Sequence, residues 1–285
     1  MKKMVSKTLM ACAITAALGA LSSGAMAQTA GANFPDFNVT ESPTVGAGTT
    51  QTLTADKITG NYTEVITFSG NTFQASLLWN AGQFVANDGS TPVASQLSPT
   101  GGTAAQYGLY ALYQANGTFS TSGGVTNFTF APGTPTSLRV FIDKDSNTTF
   151  TAPGSGSGAW ATANTSDDLL VATGAAISGQ GSLNPTLPTC SGGPGSAAGI
   201  NCGSFGSTTS FNLTTAGSSY FTAPNPFYNV SFQSGQLDNF SPTGTQTING
   251  SLDVVFNSQV PEPGSIALIG LGILGLGMSR RRKQA

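Results

Sequence analysis

Residues 62–69 read Tyr62-Thr63-Glu64-Val65-Ile66-Thr67-Phe68-Ser69, and this stretch decides the fold. Tyr62, Glu64, Ile66 and Phe68 alternate with Thr63, Val65, Thr67 and Ser69, a period of two that puts the two sets on opposite faces of a β-strand. Similar short runs recur at 73–79, 107–113, 127–130, 138–142, 169–172, 227–232 and 245–256. Turn-forming groups stand between them, including Asn87-Asp88-Gly89, Asn116-Gly117 and Pro242-Thr243-Gly244. The body shows no apolar stripe at helical spacing and no repeat of fixed period, which argues against solenoids and propellers. Many short strands with turns predict an all-β fold: a single β-sandwich or jelly-roll-like domain over residues 28–258. Residues 28–50 read as a lead-in whose strand contacts are Phe34, Phe37 and Val39, and the Gly/Ser/Thr stretches 151–164 and 174–210 read as long loops.

Composition narrows the function. Only 8% of residues are charged, while 39% are hydrophobic with 17 Phe, enough apolar material to close a core. Lys2, Lys3 and Lys7 sit at the start and Arg280, Arg281, Arg282 and Lys283 at the end. Between them Lys57, Arg139 and Lys144 face eleven acidic residues, a net charge of −8. A body so poor in cations cannot neutralise a phosphate backbone, so no nucleic-acid partner is expected. The absence of histidine removes Ser-His and Cys-His bases and the His-containing metal sites, and the chain is expected not to be an enzyme. The alternative is a polysaccharide-modifying hydrolase using acidic residues such as Asp143, Asp145, Asp167 or Asp168, since glycoside hydrolysis needs only two carboxylates. A passive surface coat is a third reading.

Asp143-Lys144-Asp145-Ser146-Asn147 follows the predicted strand 138–142. Oxygen ligands at alternate positions converge when a loop wraps a hard cation, so Asp143, Asp145 and Asn147 are candidate calcium ligands. Thr148 stands where an EF-hand has its turn glycine and Gly154 where it has its closing glutamate; Asp167-Asp168 would complete the set from another loop. The competing reading is an acidic turn, where Asp and Asn cap backbone N–H groups. No other cofactor is expected. Cys12 falls in the leader, which leaves Cys190 and Cys202, with eleven residues between them, as a local disulfide in an oxidising compartment.

Both ends read as addresses. Residues 1–27 combine three lysines, an apolar run from Thr8 to Leu21 and Ala25-Met26-Ala27, the layout of a signal helix cut by signal peptidase between Ala27 and Gln28. Residues 259–285 contain Val260-Pro261-Glu262-Pro263-Gly264, an apolar run from Ser265 to Met278, and Arg280-Arg281-Arg282-Lys283. That run makes a transmembrane helix about 21 Å long, short for a hydrocarbon core of ~30 Å. The arginines hold its end in the cytoplasm, and Pro261, Glu262 and Pro263 form a rigid step just outside the inner membrane. The arrangement resembles the PEP-CTERM sorting signal of Gram-negative bacteria. The resemblance implies an exosortase that cuts near this step, so that the anchor is transient and the product ends at the cell surface or in the extracellular matrix. A permanent anchor is the alternative.

Further pieces lie along residues 36–258: Phe37-Asn38-Val39, Ala55-Asp56-Lys57-Ile58, Gly82-Gln83-Phe84, Tyr107-Gly108-Leu109-Tyr110, Phe141-Ile142-Asp143, Asp167-Asp168-Leu169-Leu170 and Ser241-Pro242-Thr243-Gly244-Thr245-Gln246. Together they resemble the flocculation-associated PEP-CTERM proteins of floc-forming bacteria. That resemblance implies a non-enzymatic role in floc or biofilm formation, with exopolysaccharide or cell-surface glycan as partner. A sheet rich in Ser, Thr and Asn with exposed Tyr and Trp suits many weak sugar contacts.

Overall fold

A computed structural model describes residues 34–98, 106–190 and 201–257. The signal segment 1–27 and the tail 259–285, with Ala27, Gln28, Pro261, Glu262, Pro263, Ser265, Met278 and the three arginines, lie outside the described residues. Among the described residues no helix is long and apolar enough to cross a membrane.

In chain order the first strands are β1 (Phe37–Glu41), β2 (Gln51–Ala55), β3 (Lys57–Ser69), β4 (Thr72–Ala86), β5 (Thr91–Pro92), β6 (Gly108–Ser122), β7 (Val125–Phe130), β8 (Leu138–Asp143) and β9 (Thr149–Thr151). There follow β10 (Ala161–Ala163), β11 (Leu169–Gly174), β12 (Ala176–Leu183), β13 (Gly203–Thr209), β14 (Asn212–Leu213), helix α1 (Thr215–Tyr220), β15 (Phe221–Ala223), β16 (Asn229–Ser234), β17 (Thr245–Ser251) and β18 (Asp253–Asn257). The all-β expectation holds, and the layers are joined into a ring. Antiparallel pairing runs β3, β4, β6, β7, β12, β13, β16, β18 and returns to β3 through Val254 opposite Ile58 and Val255 opposite Lys57. Closure leaves these strands without a free edge.

Two long strands fork. β6 keeps β4 on one side and on the other pairs first with β8, through 108–113, and then with β7, through 117–122. β3 meets β18 at its start and β17 over residues 61–67. At that second fork Leu252, between β17 and β18, donates its N–H to Gly60 and accepts from the fully buried Trp79 indole at 2.9 Å.

Of the two alternating sets of β3, Tyr62, Glu64, Ile66 and Phe68 is the one buried inside the ring. It contributes to two interior apolar clusters, one around Trp79, Phe84, Phe232 and Phe256 and one around Phe68, Phe73, Phe128 and Phe240. On the other face Val65, Leu78, Tyr110 and Leu112 pack under Trp160, beside the β9–β10 hairpin. Part of the predicted loop 151–164 is therefore a lid over a third small core.

Two further expectations are corrected. The stretch 174–210 contains the ring strands β12 and β13. Its glycines are what the packing requires: a Cβ on Gly179 would meet the Phe130 ring at 2.9 Å, and one on Gly203 would meet the Ser182 carbonyl at 1.9 Å. Asn116-Gly117 is not a turn but the middle of β6, because Gly117 admits the Thr129 carbonyl and the Phe73 ring. Asn87-Asp88-Gly89 does turn, with all three residues at positive φ, and Gly244 does likewise.

Candidate functional site

The acidic segment after β8 forms a compact turn. Asp143, 5% exposed at the end of β8, accepts from Asn147 N at 3.1 Å and Thr148 N at 2.8 Å, one on each carboxylate oxygen. Asp167 accepts from Asp145 N at 3.0 Å. Asp168 accepts from the Tyr110 hydroxyl at 2.6 Å and from Thr148 Oγ1 at 3.0 and 3.2 Å. Asp143, Asp167 and Asp168 each bring an oxygen within 4.8 Å of the others. Burial pushes the Asp168 carboxyl up; the bonds from Tyr110 and Thr148 oppose this, and the charges of Asp143 and Asp167 add to it.

Of the predicted calcium set only Asp143 belongs to this cluster, and Asp167 and Asp168 join it as the completing pair. Asp145 and Asn147 enter the turn through their backbone N–H groups, and their residues are exposed. A hard cation needs six to eight oxygens at about 2.3–2.6 Å. The carboxylates here are spent first on the turn's own N–H and O–H donors, the geometry of an Asx-type cap. Cys190 and Cys202 are joined by a disulfide, their Cα atoms 4.4 Å apart. It stands next to Leu237, whose backbone exchanges hydrogen bonds with Cys202 and Gly203.

The expectation of exposed Tyr and Trp is corrected. Trp79, Trp160 and five of the six tyrosines are buried, with Tyr228 half-buried, because each closes part of a core. The outer face carries hydroxyls and amides instead. A groove of about 520 Å³ crosses β3, β4, β6 and β7 and is lined by Thr67, Ser69, Thr72, Gln74, Asn116, Thr118 and Thr129, with Phe73, Phe130 and Gly117 also in its wall. Strand register places these polar groups in two rows. One runs Thr245, Thr67, Gln74, Asn116 and the other Ser69, Thr72, Thr118, Thr129. Four strands at ~4.8 Å make each row about 14 Å long. The Thr67 hydroxyl is fixed by Thr245 Oγ1 and Gly156 N, both at 2.9 Å. Alternation in each strand marks these residues as outward; only the pairing makes them neighbours.

An all-β body followed by a short apolar tail that ends in arginines has the layout of a protein with a C-terminal sorting address. That address is the PEP-CTERM protein-sorting motif, whose family model matches residues 259–283. The chain thus carries a PEP-CTERM sorting motif, which implies export and processing at the membrane by an exosortase. No curated protein and no solved structure matches it.

Proposed function

We propose that the exported body is a non-enzymatic matrix protein that holds exopolysaccharide in the groove across β3, β4, β6 and β7 and so promotes floc or biofilm formation. The observation that carries this reading is the double row of hydroxyl and amide side chains in a 520 Å³ groove. Such groups match the hydroxyls of a neutral sugar chain one to one, and the sparse charge of the body avoids competing ion pairs. Each contact is weak, and many copies on a long polymer would supply the avidity that adhesion needs. The acidic turn favours binding over hydrolysis, since the carboxylates of Asp143 and Asp168 already accept hydrogen bonds from the turn's own N–H and O–H groups.

The test is retention of the purified full chain on native exopolysaccharide, compared with a Gln74→Ala/Asn116→Ala/Thr118→Ala variant. Loss of retention in a folded variant supports the groove, and equal retention overturns it. New reducing ends on incubation would favour the hydrolase. Cells lacking the gene should make polysaccharide but fail to aggregate; normal flocs would remove the proposed role.

A further inference from the structure

Elsewhere on the sheets, polar side chains that face each other across two strands close on one another. Thr63 donates to Asn249 at 2.7 Å, Thr67 meets Thr245 at 2.9 Å, Thr54 donates to Asn38 at 2.9 Å and Thr40 meets Thr52 at 3.0 Å, each pair in register. The groove breaks this pattern. Gln74 on β4 and Asn116 on β6 are Cα partners and both are exposed, yet among the described residues no hydrogen bond engages either side-chain amide. The hydroxyls of Thr118 and Thr129, partners across β6 and β7, are left unspent in the same way.

The wall beside the two amides is apolar. Phe130, half-buried, is the Cα partner of Gly117, the residue after Asn116, and Gly117 lacks the Cβ that would meet the Phe73 ring at 2.7 Å. The rings of Phe73 and Phe130 stand edge to face with centroids 5.3 Å apart. Among the described residues no charged side chain lines the groove, so neither a carboxylate nor an ammonium on a sugar finds a counter-ion there.

We propose that the groove selects a polysaccharide bearing acetamido groups, with Gln74 and Asn116 bracketing the amide and Phe130 taking the methyl. This rests on the reading of the groove as a polysaccharide site and narrows the class of polymer. An acetamido group offers one N–H, one C=O and one methyl. A side-chain amide both donates and accepts, so two of them with Cβ atoms about 5 Å apart hold both polar ends: one carbonyl accepts from the N–H and the other amide donates to the C=O. Covering the methyl with Phe130 adds an apolar contact that a bare hydroxyl does not make. Thr118 and Thr129 remain for the hydroxyls of the sugar ring.

Chitohexaose and cellohexaose share length and linkage and differ in carrying an acetamido group or a hydroxyl on each ring. Titration of the full chain in detergent should show chitohexaose binding about tenfold more tightly, the combined effect of two hydrogen bonds and a methyl contact. Saturation-transfer NMR should place the strongest signal on its methyl protons. Gln74→Ser/Asn116→Ser keeps hydroxyls on an outward sheet face, and in it the two affinities should come within about twofold of each other. Equal affinities in the wild type, or a preference that persists in the folded variant, overturns the proposal. Retention of native exopolysaccharide without binding of chitohexaose also overturns it and leaves the groove as a polysaccharide site, whereas loss of native binding as well removes both readings.

Discussion

Glu41 and Glu64 are the same side chain, buried to a similar depth in two regions of one molecule, and their surroundings are opposite. Glu41, on β1, accepts from Gln96 N at 2.9 and 3.1 Å, from the Gln96 side chain at 3.3 Å, from the Tyr107 hydroxyl at 2.8 Å, and from the Gln51 side-chain amide. Tyr107 in turn meets the Tyr220 hydroxyl at 2.7 Å. The result is a clasp that ties β1 and β2 to the segment before β6 and to α1. No hydrogen bond reaches Glu64 among the described residues, and burial is the only cause acting on its carboxyl. Burial does not by itself decide what a carboxyl group does; the number of donors folded around it does.

The largest effect that can break this contrast is removal of the clasp. Glu41→Ala leaves the Tyr107 hydroxyl with Tyr220 alone and takes the acceptor from the half-buried Gln96 N–H and the Gln51 amide, and with several bonds to one carboxylate lost at once urea unfolding should show a loss of about 3 to 4 kcal/mol. A loss below about 1 kcal/mol would mean that the clasp is replaceable by water.

The pH response of the second region comes next. The folded protein holds the Glu64 proton up to about 7 while the unfolded chain releases it near the ordinary 4.5. Stability from this proton is full below about pH 4.5 and is lost as the pH rises through 7, a change of about 3 kcal/mol. Burial pushes Asp56, Asp168 and Asp238 in the same direction, so the measurable quantity is the difference between wild type and Glu64→Gln. Parallel stability curves for the two proteins would show that Glu64 is not the titrating group.

A smaller effect should follow from reducing the Cys190–Cys202 disulfide, which closes a separation of 12 residues next to Leu237 and the Phe240 end of the interior. The loss expected from chain entropy is about 2 to 3 kcal/mol. Looser packing of that end should also draw the Glu64 carboxyl back toward its ordinary range, whereas the Glu41 clasp at the other cluster should be unaffected. The carboxyl carbon chemical shifts of both residues across a pH series would report this. The smallest change belongs to the groove: Gln74→Ala/Asn116→Ala/Thr118→Ala should move stability by less than about 1 kcal/mol while removing polysaccharide retention, because outward side chains on a sheet carry little folding energy.

Much of this architecture could be read locally. Residues 62–69 announce their strand and its two alternating faces, and Asn87-Asp88-Gly89 announces its turn. β12 and β13 could not be read this way. Their sequences, Ala176–Leu183 and Gly203–Thr209, lack the β-branched and aromatic density of a strand, and they are strands because β7 and β16 supply hydrogen-bonding partners on either side. The same limit applies to the acidic turn, where Asp143 meets residues more than twenty positions along the chain, and to the groove, where Gln74 and Asn116 are neighbours only through strand register.

The all-β class, the C-terminal sorting motif and the lack of histidine chemistry follow from the amino-acid sequence alone, because each depends on composition or on spacing over a few residues. Tertiary structure decided that the strands close into a ring, that Tyr and Trp turn inward, and that Glu64 lies beside Tyr113 in a mostly apolar cavity while Glu41 is clasped. Alternation along a strand specifies which side chains share a face. It does not specify which strand lies alongside, and that neighbour supplies the donors, the cavity and the row of polar groups from which each site is made.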